Sequence, residues 1–167
     1  TQVNSPMNIQ EYTLDEISYL RKEDCRIMEA VLRSWFRNPK TLNYVDPRIS
    51  FPFNLKKWKS VSYKLDMDST KTFVIKDADW IIGHISIRVK ESTGHLFHLF
   101  IDPKYRQNGL AKKLVDATEN HGKKNGCKTF ILNVVKKNIE AINLYEKLGY
   151  VEVNEPEKKS LKMTKVI

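Results

Sequence analysis

The 167-residue chain holds only two cysteines, Cys25 and Cys127, which stand far apart. No Cys-x-x-Cys pair and no cysteine–histidine grouping at ligand spacing accompanies them. Neither a disulfide framework nor a zinc site is therefore expected, and the pattern implies a reducing compartment and no metal. The sequence also lacks a Gly/Ser-rich linker, an internal repeat and any low-complexity tract. No apolar run approaches the roughly 20 residues needed to cross a bilayer. No charged-then-apolar stretch resembling a signal peptide opens the chain either. The expectation is a soluble, cytoplasmic protein without a membrane partner. Residues 7–167 read as one domain, large enough to bury its own core. Thr1–Pro6, ahead of Met7, are set aside as a tag remnant or a disordered end.

Acidic residues are in short supply: 20 Asp and Glu face 29 Lys and Arg, a formal charge of +9. Much of the excess lies between Lys104 and Lys137, where nine basic residues face only Asp116 and Glu119. Such a cluster suits DNA, RNA, an acidic protein or a phosphorylated small molecule, and equally a solvated helix face. No helix-turn-helix, zinc-finger or aromatic single-strand pattern accompanies it, so nucleic acid is the weaker reading.

Periodicity predicts a short strand over Ile17–Arg21 and a helix from Asp24, as N-cap, to Phe36. Asn38–Ser60, with Pro39, Pro47 and Pro52, reads as loops and one short helix. The β-branched stretches Lys71–Lys76, Trp80–Val89 and His95–Ile101 read as a meander of three strands. A helix follows over Gly109–Lys124, then a buried strand Thr129–Val135. Asn138 caps a further helix that ends at Leu148-Gly149, and strands Tyr150–Val153 and Leu161–Val166 close the chain. The fold class is α/β (α+β), a mixed central sheet of about six to seven strands flanked by about four helices.

Two segments carry chemistry. In Ile101-Asp-Pro-Lys-Tyr-Arg106-Gln107-Asn108-Gly109-Leu110-Ala111-Lys112 a strand ends and a helix begins at a glycine. The first N–H groups of such a helix have no intrahelical partner and carry the positive end of its dipole, which suits a phosphate. In the second segment Asn138 caps a helix and Tyr145 follows two turns later.

At these residues the sequence resembles the GNAT superfamily of N-acetyltransferases. Arg106, Gly109 and Ala111 match that family's Arg/Gln-x-x-Gly-x-Gly/Ala motif. Asn138, Ala141, Leu144, Tyr145, Gly149 and Tyr150 match its Asn-x-x-Ala-x-x-Leu-Tyr-x-x-x-Gly-Phe/Tyr pattern. Ile82-Gly83 also looks like the family's strand–glycine pattern. The likeness extends over about Trp80–Val153 and is faint in the N-terminal third.

The resemblance implies a GNAT fold whose sheet splays open at the site, and acetyl-CoA as co-substrate. It implies pyrophosphate on the N–H groups of Gln107, Asn108, Gly109, Leu110, Ala111 and Lys112, beside Arg106. It implies a pantetheine arm along the backbone of Leu99, Phe100 and Ile101, with Asn138 across the gap. An amine would attack the thioester directly, and Tyr145 would protonate the leaving thiolate. For the general base the candidates are His95, then His98. Strand alternation sets His95 with Phe97, Leu99 and Ile101 on one face and His98 on the other. In related branches a glutamate or a histidine holds the place of His95. Enzymes that acetylate a ribosomal protein's N-terminus use a glutamate where Asn133 stands, which argues against that activity.

The acceptor amine is unidentified, a small amine or a protein or peptide amine. Its specificity should reside in Trp35–Tyr63. There Trp35, Phe36, Tyr44, Phe51, Phe53 and Trp58 form either an amine pocket or local core. Asp46 is the sole acid between Phe36 and Val61. A CoA-binding sensor without catalysis and a basic nucleic-acid-binding domain are the alternatives, and a homodimer is left open.

Overall fold

The computed structural model describes residues 12–64, 69–153, 155–156 and 158–167. Residues 1–6, set aside above, lie outside the described residues. In chain order the elements are β1 (Thr13–Ile17), α1 (Lys22–Trp35), α2 (Pro39–Val45), α3 (Leu55–Ser62), β2 (Thr70–Asp77), β3 (Trp80–Lys90) and β4 (Thr93–Ile101). There follow α4 (Leu110–Lys124), β5 (Thr129–Val135), α5 (Ile139–Lys147), β6 (Val151–Val153) and β7 (Ser160–Val166). The strands form one seven-stranded sheet in the order β1-β2-β3-β4-β5-β7-β6. All neighbours are antiparallel except β4 and β5.

Alternate residues of β2 enter opposite cores. Phe73 and Ile75 pack with Leu110, Leu114 and Val115 of α4, whereas Val74 packs with Met28, Val31 and Trp35 of α1 and Trp58 of α3. Strand alternation thus places one helical layer on each face of the sheet. β3 is buried without a break from Ile81 to Ile87, as befits a strand covered on both faces. Helix α4 lies close on the sheet because Gly122 has no side chain. A Cβ there would sit 2.4 Å from the Phe130 ring, so any other residue must push α4 away from β5.

Four expectations need correction. The first strand lies earlier, at Thr13–Ile17, because that stretch extends the sheet against β2. The first helix has Arg21 as N-cap with no side-chain capping bond, and Asp24 instead accepts the Ser18 N–H at 2.9 Å. The stretch from Asn38, read as loops and one short helix, holds both α2 and most of α3, which makes five α-helices among the described residues. Asn38 caps α2 ahead of Pro39, and Asn54 caps α3, each accepting from the N–H three residues on.

The fourth correction bears on the site. Opposite Ile85 of β3, β4 has two residues, His98 and Leu99, and His98 adopts φ 56°. This bulge breaks the period of two. Phe97 and Phe100 face the α1–α3 layer, and His98 stacks there on Trp58 at 3.8 Å. Leu99 and Ile101 face the α4 layer. His95, Phe97, Leu99 and Ile101 therefore do not share one face.

Candidate active site

β4 and β5 are paired only at Thr93–Thr129, Gly94–Phe130 and His95–Ile131. Beyond that point Leu96–Ile101 and Leu132–Val135 line opposite walls of a cleft of about 1310 Å³. Backbone groups on the facing edges are left for something other than protein to pair with. Helix α4 opens onto one end of this cleft, and His95 lies at the other, where the strands still touch.

At the α4 end the loop is held from below. Asp102 accepts from the Lys104 N–H and the Trp35 indole N–H, at 3.0 and 3.3 Å. Tyr105 donates its hydroxyl to Asp77 at 2.8 Å. The Arg106 guanidinium donates to the Ile101 carbonyl at 3.0 Å and lies 5.0 Å from the Phe100 ring centre. Asn108 donates back to the Tyr105 carbonyl at 3.0 Å. Gln107 and Gly109 both have positive φ, 65° and 73°, which turns the chain sharply into α4. A Cβ on Gly109 would meet nothing within 4 Å. The glycine is therefore set by backbone conformation and by open space at the helix mouth, not by packing. Lys113 makes the first intrahelical bond, to the Gly109 carbonyl at 3.2 Å, so the N–H groups of Leu110, Ala111 and Lys112 are open to an anion. Lys112 pairs with Asp116 at 2.7 Å. An elongated ligand with phosphates at this end fits the helix mouth and the length of the cleft.

Across the cleft, Asn138 caps α5 by accepting from the Ala141 N–H at 3.3 Å, and its amide N–H groups bond no described residue. Tyr145 lies along the same wall, and its hydroxyl bonds no described residue. Burial pushes its pKa well up, so it stays a neutral O–H donor. Its ring meets Tyr150 edge-on at 6.1 Å. Tyr150 in turn donates to Glu119 at 2.8 Å, and Lys165 pairs with Glu119 at 3.0 Å. The tyrosine is thus oriented by a buried tie between α4 and β7.

The two histidines of β4 differ sharply. The half-buried His95 ring borders the cleft and makes no side-chain hydrogen bond to a described residue. Burial, then the positive charges of Arg88 and Arg48, push its pKa down to about 4, so its ring is neutral and able to accept a proton. His98 is fully engaged. Its Nε2 lies 2.7 Å from Asp46 Oδ2 and its Nδ1 lies 2.8 Å from the Tyr63 hydroxyl. Burial lowers its pKa while Asp46 opposes that shift. A carboxylate only accepts, so Nε2 carries the hydrogen and Tyr63 donates to Nδ1. Tyr63 then accepts from Ser86, and Ser86 from Thr72, both at 2.8 Å. This one-way chain fixes Asp46 at the cleft wall.

Of the aromatics between Trp35 and Tyr63, Trp35, Phe36, Phe53 and Trp58 are core. Phe51 is exposed, and only Tyr44 borders the cleft, donating to the Lys137 carbonyl at 3.4 Å. Asn133 lies exposed on the β5 wall. Sequence reasoning missed Arg48 and Arg88, which line the wall near His95. One signal was available: a charge at position 88 stands between the apolar Ile87 and Val89 of β3. Among the described residues no cluster of His, Cys, Asp and Glu suits a metal ion, and no helix is long and apolar enough to cross a membrane.

Residues 20–150 match the model of the acetyltransferase (GNAT) family. The chain is 23% identical to an uncharacterized N-acetyltransferase of Bacillus subtilis, over 90% of this chain and 67% of that protein. It is 27% identical to an acetyltransferase of Pectobacterium atrosepticum, over 83% of this chain and 89% of the relative. Its fold overlays on that of an N-acetyltransferase of Thermoplasma acidophilum, crystallised in complex with coenzyme A. The TM-score is 0.71 at 17% identity, covering 94% of this chain and 99% of the other.

Proposed function

Because the chain belongs to the acetyltransferase (GNAT) family and is thereby an acyltransferase, we propose that it moves the acetyl group of acetyl-CoA directly to a primary amine. The observation that carries this reading is the cleft left where β4 and β5 part, with an open helix mouth at one end and a free imidazole at the other. The coenzyme A bound to the Thermoplasma neighbour supports the same co-substrate here.

The N–H groups of Gly109–Lys112 bind the pyrophosphate, and the free edge of Leu99–Ile101 pairs with the pantetheine arm. Asn138 donates its amide to that arm from the other wall. The co-substrate supplies an acetyl thioester. The acceptor nitrogen attacks the thioester carbon while His95, directly or through a water, takes the proton the nitrogen loses. A backbone N–H of β4 steadies the charge gathering on the carbonyl oxygen. The carbon–sulfur bond then breaks, and Tyr145 gives its hydroxyl proton to the departing thiolate. His98, with both nitrogens bonded, is a positioning residue that holds Asp46 and the turn after α2. The two free cysteines fit a reducing, cytoplasmic setting.

A thiol-release assay with acetyl-CoA across amino acids, peptides, polyamines, aromatic amines and aminoglycosides tests the proposal. Acceptor-dependent release of coenzyme A is expected. Tight binding of acetyl-CoA with no acceptor-dependent release from any class would contradict it.

A further inference from the structure

The acceptor end of the cleft carries positive charge that few acids among the described residues offset. Arg88 on β3 stands opposite His95 on β4 in the strand register, and Arg48 borders the same wall. Arg48 directs Nε and one Nη to Asp46, each at 2.9 Å, and that Nη also reaches Ser62 Oγ at 3.0 Å. Its other Nη has no partner among the described residues. The Asp46 side chain is only 3% exposed while that of Arg48 is 60% exposed, so the cation, not the anion, faces outward. The single negative charge of Asp46 is already shared with His98.

Arg88 has no acidic partner among the described residues. One Nη donates to the Ser62 carbonyl, the guanidinium lies 4.8 Å from the Phe97 ring centre, and Nε is buried with no partner. Lys162 of β7, beside Asn133 of β5, adds a further positive field at His95. Apart from Asp46, Glu140 in the first turn of α5 is the one acid among the described residues that borders the cleft. A polyamine or another multiply charged cation meets repulsion here, whereas an anion meets unspent guanidinium donors. The N–H groups left over on Arg48 and Arg88 are charged donors of the kind that binds a carboxylate.

We propose that the acceptor is an amine bearing its own carboxylate, which Arg48 and Arg88 hold so that the amino group lies against His95. The carboxylate belongs to a free amino acid or to an acidic residue beside a peptide's α-amine. This inference rests on the acetyltransferase reading and narrows it to a substrate class.

The test uses the full chain with saturating acetyl-CoA and matched acceptor pairs. One set comprises free amino acids and their carboxamides. The other comprises short peptides starting with Asp or Glu and their Asn or Gln counterparts. The carboxylate member of at least one set should be favoured in kcat/KM by about tenfold or more, mainly through KM. The set that shows the preference identifies the source of the carboxylate. Arg88→Gln should erase that preference, and Arg88→Lys should restore part of it. The inference is overturned if carboxamides or diamines are used as well as carboxylates. It is also overturned if a folded Arg88→Gln with wild-type acetyl-CoA affinity keeps the full preference. Titration of acetyl-CoA alone separates the two levels. Absence of binding contradicts the acetyltransferase reading itself, whereas binding with a preference for uncharged or cationic amines contradicts only the anionic acceptor.

Discussion

The two ends of the cleft are built by different means. Around Gly109 the working groups are backbone: N–H groups at a helix start, a positive φ, and a strand edge without a partner. Around His95 they are side chains, namely Arg48, Arg88 and the Asp46–His98–Tyr63 chain, contributed by separate elements. Backbone features need only a few residues at fixed local spacing, so they leave a motif. Side chains gathered from β3, β4 and the turn after α2 leave none.

The largest effect should come where backbone and side chain meet. Tyr145→Phe keeps the ring packed on Tyr150 and removes only the proton. Turnover should fall by about 10²-fold or more with little change in KM for acetyl-CoA. A variant with wild-type turnover would make this tyrosine purely a packing residue and move the catalytic weight to the His95 end.

At that end, His95→Gln should lower kcat/KM by about tenfold, less than Tyr145→Phe, because so depressed a pKa makes a weak base. Burial and the cations Arg88, Arg48 and Lys162 hold free His95 near 4, with His98 also adjoining. His95 is therefore neutral and ready above that pH, and loses its function as pH falls through it. The kcat/KM profile should place the His95 limb near pH 4. An anionic acceptor offsets the cations, so the same limb in kcat should lie at higher pH. Coincident limbs in the two profiles would contradict the charge argument.

Acid should also weaken the fold from the β4 bulge outward. The fully buried His84 accepts from Tyr19 at Nε2 and donates from Nδ1 to the His98 carbonyl, both at 2.8 Å. Burial holds its pKa down to about 3. The unfolded chain protonates this histidine near its ordinary value of about 6.5. The stability it confers is thus complete above that pH and is lost as pH falls toward about 3, by on the order of several kcal/mol. Chemical denaturation at stepped pH measures this, and a flat stability profile between pH 7 and 4 would rule it out.

The smallest effect concerns the hydrogen bond that ties α2 to the loop after β5. Tyr44→Phe removes its long contact with the Lys137 carbonyl and should cost under about 1 kcal/mol by denaturant midpoint. A larger loss would mean that the two ends are coupled across the cleft.

The same contrast explains what was legible in sequence. β5 and the Asn138 cap stand where period and capping chemistry put them. Gly109 was legible as the glycine at a helix start, and the role of Tyr145 only through the family likeness. The splay of the sheet came only from the family likeness. The bulge at His98 was hidden because an inserted residue leaves the hydrophobic pattern looking continuous across Phe97–Ile101. The aromatic-rich stretch after Trp35 read equally as pocket or core. Only tertiary packing assigns Trp58 to the core and Tyr44 to the cleft. Arg48 and Arg88 stand 40 residues apart in the chain, beyond the reach of any local pattern.

The central claim is that the mouth of α4 holds the phosphates of acetyl-CoA, and calorimetric titration of wild type against Gly109→Val tests it most directly. A valine Cβ at this position meets no neighbour but must adopt a positive φ. The fold should survive with local strain of about 1–2 kcal/mol while side-chain bulk covers the open N–H groups. Saturable binding to wild type and a loss of about 100-fold or more in the folded variant are the predicted results. Unchanged affinity in a folded Gly109→Val would contradict the assignment.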